Sequence, residues 1–558
     1  REIVSRSVEG PIVRTTYAAA RTRALADQLV RWQSVGGTAG EAAFAPKLRD
    51  LLQTIPHFRD NPGDLLLLPG YGEPDCANLV AILPGRSSRA LLMAGHYDTV
   101  AIDNYRDLAP LACAPDELAQ ALLADLQRRE ISPQEALARV DLESGDFIPG
   151  RGMLDMKSGL AAGIAILEHL AAQPNREATL ILVATPDEER ESRGMRALRA
   201  VLPGLLAQRG LAVGGAINMD VTSDQGDGAV GRAVYTGTIG KLLPFAFVLG
   251  QPSHAAYPFE GVSATLIAAE ILRAIEGNPD LADTGAGDVA PPPIALEMRD
   301  LRTGYEVTTP DRLWLAFNWL YHSGTAQDRL GQFQHLVAEA LERATTQFAV
   351  NARAFGELSG AARPQAATPR LLTFAELRAA ALTDPVAEAD FAAQEAALSH
   401  VDNPLTLSRA LVESLIECAG LTGPAVVIGF AGLHYPPASL DPQIEGHAAL
   451  LHAIQKAEAA MAAEAKLTWR PYFQGISDMS FLGQPARAGD DVVAANTPAT
   501  RLIDRPAADS LEFPVVNIGP WGREFHQRLE RAHAGYAFDI LPRLLVQLVT
   551  AYFDKKQA

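Results

Sequence analysis

The chain has 558 residues, 48% of them hydrophobic and 20% charged, so it is long enough for two or more packed cores. Its 66 acidic residues outnumber 48 Lys and Arg, and the formal net charge of -18 argues against nucleic acid and anionic membrane surfaces as partners. Cys76, Cys113 and Cys418 form no C-x-x-C pair, so neither a disulfide framework nor a thiolate zinc site is expected.

No uninterrupted apolar run reaches the length of a bilayer span. The most apolar stretch, LAAGIAILEHLAA, carries Glu168 and His169 and reads as a packed helix. The first residues, REIVSRSVEG, do not read as a secretory leader, and a cytoplasmic location is expected.

In chain order, residues 90–94 form a short apolar run ending at Gly95-His96. Residues 101–150 make an unusually long connection with its own helix at 115–128, expected to cover the mouth of a site. Helical spacing follows at 158–172, a buried-strand run at 178–185 stops at Pro186, and another strand is expected at 212–219. Strands alternating with helices predict an α/β fold, a mostly parallel sheet with helices on both faces, whose sites gather at strand carboxyl ends.

After Gly231 the pattern changes. Residues 234–249 read as one long strand, 261–276 as an amphipathic helix, 294–301 and 312–322 as two strands, and 326–352 as a helix. With a strand at 425–430 these predict a small sheet with two helices on one face, while the Ala-rich stretch 355–421 reads as a helical insertion. A helix at 447–465, a strand at 513–518 and a helix at 542–553 complete the chain. The expected organisation is a catalytic domain from 1–230 and 437–558, interrupted by an α+β lid and dimerisation domain at 231–436.

Five segments deliver metal-binding residue types at or after strand-like runs. They are GHYDTV with His96, GRGMLDMKSG with Asp155, TPDEE with Glu188 and Glu189, INMD with Asp220, and GPWGREFH with His526. Zinc takes imidazole and carboxylate donors, and two zinc ions sharing a carboxylate need roughly five protein ligands. Asp98 follows His96 by two residues, so in an extended segment both side chains share a face and Asp98 can receive the imidazole N–H. Of the adjacent pair Glu188-Glu189, one can bind metal while the other moves a proton.

These segments resemble the co-catalytic zinc hydrolases that include acetylornithine deacetylase, succinyl-diaminopimelate desuccinylase, carboxypeptidase G and aminoacylase. The resemblance implies two Zn2+ per subunit, with Mn2+ or Co2+ as alternatives. It implies that His96 and Asp220 hold one ion, Glu189 and His526 the other, that Asp155 bridges them, and that Glu188 is the general acid/base. Gly250-Gln251-Pro252-Ser253-His254, with Pro258 and Gly261, matches the family's lid segment and implies that His254 stabilises the substrate oxyanion in a neighbouring subunit of a homodimer. FNWLYH, GFAGLHYPP and GISDMSFLG are similar to the branch of the arginine-utilisation protein RocB. A small peptide or N-acyl amino acid is the expected substrate, in amino-acid or peptide catabolism.

Where the family often has an Asp-x-Arg pattern, this chain reads Phe317-Asn318-Trp319-Leu320, so recognition of a substrate carboxylate does not transfer. A binding or regulatory protein without turnover, and a mononuclear or manganese-dependent hydrolase, remain the alternatives. No G-x-S-x-G elbow occurs, which argues against a serine hydrolase.

Overall fold

A computed structural model describes residues 19–72, 75–223, 231–360, 368–461 and 466–554. The chain divides into two compact units. The first comprises the described residues of Arg1–Tyr235, Leu440–Arg470 and Phe513–Ala558, and the second those of Thr236–Ser439 and Pro471–Glu512. The second unit therefore takes residues 471–512, which the sequence pattern assigned to the catalytic domain. Their short helices and irregular stretches carry little periodicity with which to place them.

The first unit is an α/β structure around an eight-stranded sheet. Its strand order is Leu65–Tyr71, Cys76–Leu83, Thr179–Thr185, Arg89–His96, Ala212–Asn218, Val515–Asn517, Ala233–Tyr235 and Thr468–Arg470. The four strands from Thr179–Thr185 to Val515–Asn517 are mutually parallel. Thr179–Thr185 is buried throughout and Arg89–His96 nearly so, which is why both read as continuous apolar runs. Helix Ser158–Ala171 packs against Arg89–His96 and Thr179–Thr185 and against helices Ala19–Arg31 and Leu541–Tyr552. Helix Arg193–Arg209 packs against the strands Leu65–Tyr71 and Cys76–Leu83. Among the described residues no helix is long and apolar enough to cross a membrane.

Residues 101–150 fold as a small helical layer of their own. Pro115–Arg128 and Pro133–Ser144 bury Leu118, Leu122, Leu126 and Leu142 with Tyr105, and Leu529 from the chain's last third completes that cluster.

In the second unit the expected long strand at 234–249 is broken into short pieces ending in Pro244–Leu249, with Gly237, Gly240 and Pro244 at the interruptions. Gly237 lies close against a neighbouring backbone. A Cβ on Gly237 would stand 2.3 Å from the Ala438 carbonyl oxygen. The main sheet joins Gly240–Leu242, Arg312–Tyr321, Pro244–Leu249, Ala425–Phe430 and Arg370–Thr373, with Ile294–Asp300 also pairing Arg312–Tyr321. One cluster packs helices Ala264–Ile275 and Ala326–Ser359 on the sheet through Ile267, Ile271, Phe333 and Val337. Another packs Phe374, Leu377, Leu411 and Leu415 of helices Phe374–Ala381 and Pro404–Cys418 against Phe247, Trp314 and Val427. The described residues of the stretch 355–421 thus supply helices packed on this sheet and its edge strand Arg370–Thr373.

Candidate metal centre

Neighbouring parallel strands bring the donors together at their carboxyl ends. His96 is the last residue of Arg89–His96, Glu188 and Glu189 follow Thr179–Thr185, and Asp220 follows Ala212–Asn218. Asp155 comes from the turn before helix Ser158–Ala171, and His526 from the loop after Trp521–Arg523. Three overlapping groups have ligand atoms within 4.8 Å of one another: His96, Asp155 and Asp220; His96, Glu188 and Glu189; and Asp155, Glu189 and His526.

Asp155 lies between the two imidazoles. Its Oδ1 is 3.1 Å from His96 Nε2 and its Oδ2 is 3.1 Å from His526 Nε2. His96 Nε2 is 3.6 Å from Asp220 Oδ1 and 3.8 Å from Glu188 Oε2, and His526 Nε2 is 2.9 Å from Glu189 Oε2. Two donors on a tetrahedral zinc, each bonded at 2.0–2.2 Å, stand about 3.4 Å apart. Separations of 2.9 to 3.6 Å among these atoms therefore fit a cation between them. Charge points the same way. The cluster gathers four carboxylates, Asp155, Glu188, Glu189 and Asp220, on two imidazoles, and two divalent cations would balance them.

The titration of these groups follows from their burial and close packing. Burial opposes protonation of His96, yet Glu188, Asp155, Asp220 and Asp98 together raise its pKa well above the ordinary value. Burial likewise opposes protonation of His526, and its hydrogen bonds to Asp155 and Glu189 overcome it, raising the pKa to about 11. Burial, with Asp155 adding to it, pushes Glu189 up to about 7. Asp155 is held below the usual carboxylate range, because hydrogen bonds from His526 and His96 outweigh its burial.

The backbone around each donor is tightly held. His96 Nδ1 lies 3.0 Å from the Asp98 carbonyl oxygen, so Nδ1 carries the proton and Nε2 faces the carboxylates. The sequence pattern assigned this task to the Asp98 carboxylate, but its nearer oxygen is 3.5 Å away. The carboxylate is used elsewhere. Its Oδ1 accepts from Glu188 N at 3.0 Å and its Oδ2 from Glu189 N at 3.1 Å, so Asp98 aims the glutamate pair through its backbone. An alternating pattern shows which face a side chain takes, not which of two acceptors the ring prefers. The buried Glu41 carboxylate supports the same turn by accepting from Asp187 N at 3.0 Å.

Asp220 is fixed by Asn517, whose Oδ1 accepts from Asp220 N at 3.1 Å and whose Nδ2 donates to Asp220 O at 3.1 Å. Two glycines let this segment sit where it does. A Cβ on Gly519 would meet the Asp220 carbonyl oxygen at 1.8 Å, and one on Gly159 the Met219 carbonyl oxygen at 2.1 Å. The loop carrying His526 holds two non-glycine residues in the left-handed region, Glu524 at φ 58° and His526 at φ 64°. Each such residue costs about 1–3 kcal/mol and persists only where its surroundings enforce it. Arg531 contributes by pairing with Glu524 and Asp141.

Lys157 of the GRGMLDMKSG segment is fully buried away from the donors. Its Nζ donates to the Trp32 carbonyl at 2.8 Å and lies 5.0 Å from the centre of the Phe44 ring, while burial lowers its pKa to about 8. His254 belongs to the second unit, on an exposed loop, where its Nδ1 accepts from Ala256 N at 3.1 Å. Asn517, Glu41 and Glu530 are supporting residues that the motifs did not reveal. A polar residue inside the apolar run PVVNIG was the available signal for Asn517, while Glu41 and Glu530 had none.

The profile of peptidase family M20/M25/M40 matches residues 92–499. YqjN of Bacillus subtilis (strain 168) is 29% identical over 557 residues, covering 96% of this chain and 97% of that protein. RocB of the same strain is 27% identical over 550 residues, covering 96% of this chain and 95% of that protein. A tripeptidase from Staphylococcus aureus subsp. aureus mu50 shares the fold, with a TM-score of 0.54 at 14% identity over 96% of this chain and 98% of that one. Donor cluster, fold and profile agree: the chain belongs to peptidase family M20/M25/M40, on its RocB-like branch, and is a metal-dependent hydrolase.

Proposed function

We propose that this chain hydrolyses the amide bond of a small peptide or an N-acyl amino acid at a centre of two divalent cations, zinc being the first choice for mixed imidazole and carboxylate donors. His96 and Asp220 would hold one cation, Glu189 and His526 the other, and Asp155 would serve both. The reading rests on the Asp155 carboxylate, whose two oxygens each lie 3.1 Å from a different imidazole. When bound, such a pair supplies Lewis acidity and a nucleophile available at neutral pH.

The chain's own groups do the rest. Glu188 is buried, and its Oε2 stands 3.8 Å from His96 Nε2, beside the donors and outside hydrogen-bond reach of that ring. It takes the proton from the attacking water and passes it to the leaving amine nitrogen. Asp98 keeps that carboxylate aimed by binding the Glu188 and Glu189 amides. His254 supplies a donor to the oxygen that becomes negative during attack. Because its Nδ1 is the acceptor for Ala256 N, Nε2 is the protonated nitrogen. A homodimer through the second unit would deliver this donor to a neighbouring subunit. The strand Ile294–Asp300 favours that assembly, since Ile294, Leu296 and Met298 are exposed along it.

The test is hydrolysis of a panel of di- and tripeptides and N-acyl amino acids by the zinc-loaded protein, alongside Glu188→Ala. The variant should retain both cations and lose turnover by at least about 100-fold. Full activity with both cations bound would remove Glu188 from the mechanism.

A further inference from the structure

We propose that Asn104, Arg151 and Glu530 form a clamp that positions Asp155 and His526, making the inserted segment 101–150 a buttress of the metal centre. The proposal rests on the two-cation reading above and extends it to residues that touch no cation.

The Glu530 carboxylate is buried, and its two oxygens face in different directions. Oε1 accepts from Gly152 N at 2.9 Å and from Leu154 N and Asp155 N at 3.3 Å each, so one oxygen gathers the amides of the turn that carries Asp155. Oε2 accepts from Arg151 Nη1, which is equally buried. The other guanidinium nitrogen, Nη2, donates to Asn104 Oδ1 at 2.9 Å and lies 3.3 Å from the His526 carbonyl oxygen. Asn104 Nδ2 donates to that same carbonyl at 2.8 Å. The Asp155 turn and the His526 loop are therefore tied through one guanidinium and one carboxylate, and Asn104 of the inserted segment closes the connection.

A buried arginine–glutamate pair can simply be part of a core. Here the remaining side-chain hydrogen bonds of the pair go to the backbone of the turn carrying Asp155 or the loop carrying His526, or to Asn104, which holds that loop. His526 needs such support, because its side chain is 39% exposed while His96 is 1% exposed, and its φ is positive. Gln134, also in the inserted segment, donates to Glu524 Oε1 at 2.6 Å, and Leu529 completes that segment's apolar cluster. The segment thus grips the His526 loop by hydrogen bonds at residues 524 and 526 and by packing at 529.

Groups that orient metal ligands typically change affinity by roughly 10–100-fold when removed. Of the two ligand-bearing segments Asn104 bonds directly only to the His526 loop, whereas Glu530 bonds to the amide of Asp155, which would serve both cations. Asn104→Ala should weaken one of the two zinc sites by about 10-fold or more and spare the other, and Glu530→Gln should weaken both. The measurement is zinc titration of the metal-free full-length protein against a chromophoric chelator, paired with thermal melting of the metal-free protein. Asn104 is exposed, so its variant should fold and its metal-free melting should match the parent. Unchanged affinity at both sites in Asn104→Ala would overturn the clamp while leaving the two-cation centre intact. Equal weakening of both sites in Asn104→Ala, with a lower metal-free melting temperature, would reduce the residue to a structural role. Failure of the parent protein to bind zinc would sink the centre and the clamp together.

Discussion

Replacing Gly519 by alanine should dislodge Asp220, and the size of the effect follows from two distances. The added Cβ would stand 1.8 Å from the Asp220 carbonyl oxygen, and real Cβ contacts essentially never fall below 3.0 Å, so the two backbone segments must move apart by about 1.2 Å. Neither partner can rotate away, because both the Asp220 and the Met219 carbonyls are backbone. Forced shifts of this kind cost about 1–3 kcal/mol. The functional consequence is larger, since metal–ligand distances tolerate deviations of only about 0.2 Å. Gly519→Ala should therefore bind one zinc with near-parental affinity, through Asp155, Glu189 and His526, and bind the second weakly. The assay is zinc titration with metal analysis per subunit, alongside a melting curve. Gly446→Ala is the matched control in the same unit, because an added Cβ there meets nothing within 4 Å. Two tightly bound zinc ions and a parental melting temperature in Gly519→Ala would refute the reasoning.

Asp98→Asn should leave the Glu188 and Glu189 amides with one acceptor in place of two, costing about 1–3 kcal/mol for the amide left unpaired and lowering kcat more than KM rises. Matched steady-state and melting measurements check it, and an unchanged kcat would count against the aiming role. Chelation should lower the melting temperature, and added zinc should restore it, since a ligand held at 100 times its Kd stabilises by about 2.7 kcal/mol. For the second unit, burial pushes His434 down to about 4 from an ordinary 6.5. The unfolded chain then binds more protons between those values, so the stability His434 contributes is complete above about pH 6.5 and lost as pH falls toward 4. The loss amounts to roughly 3 kcal/mol, and the acid slope of the melting temperature should flatten in His434→Phe.

Four residues of the candidate cluster, His96, Glu188, Glu189 and Asp220, were legible in the sequence because each ends or closely follows a buried-strand run, whereas Asp155 and His526 lie in a turn and a loop. ATLILVAT before Glu188-Glu189 and ALLMA before His96 mark strand ends, and parallel strands bring their ends to one side. The helix Pro115–Arg128 and the strand Ala425–Phe430 fall at the expected residues, since apolar periodicity and Pro or Gly boundaries define both. Supporting residues were harder to find. Asn104, Asn517 and Glu530 act through backbone groups far away in sequence, and a side chain that binds a distant carbonyl or amide leaves no periodic trace. The assignment of residues 471–512 to the second unit was missed for a related reason, as tertiary packing decides it and local pattern does not.

Crystals of the zinc-loaded protein, with anomalous difference maps at the zinc edge, test the central claim most directly. Two peaks are expected in each subunit, one among His96, Asp155 and Asp220 and one among Asp155, Glu189 and His526. A single peak, or zinc held away from Asp155, would contradict the account.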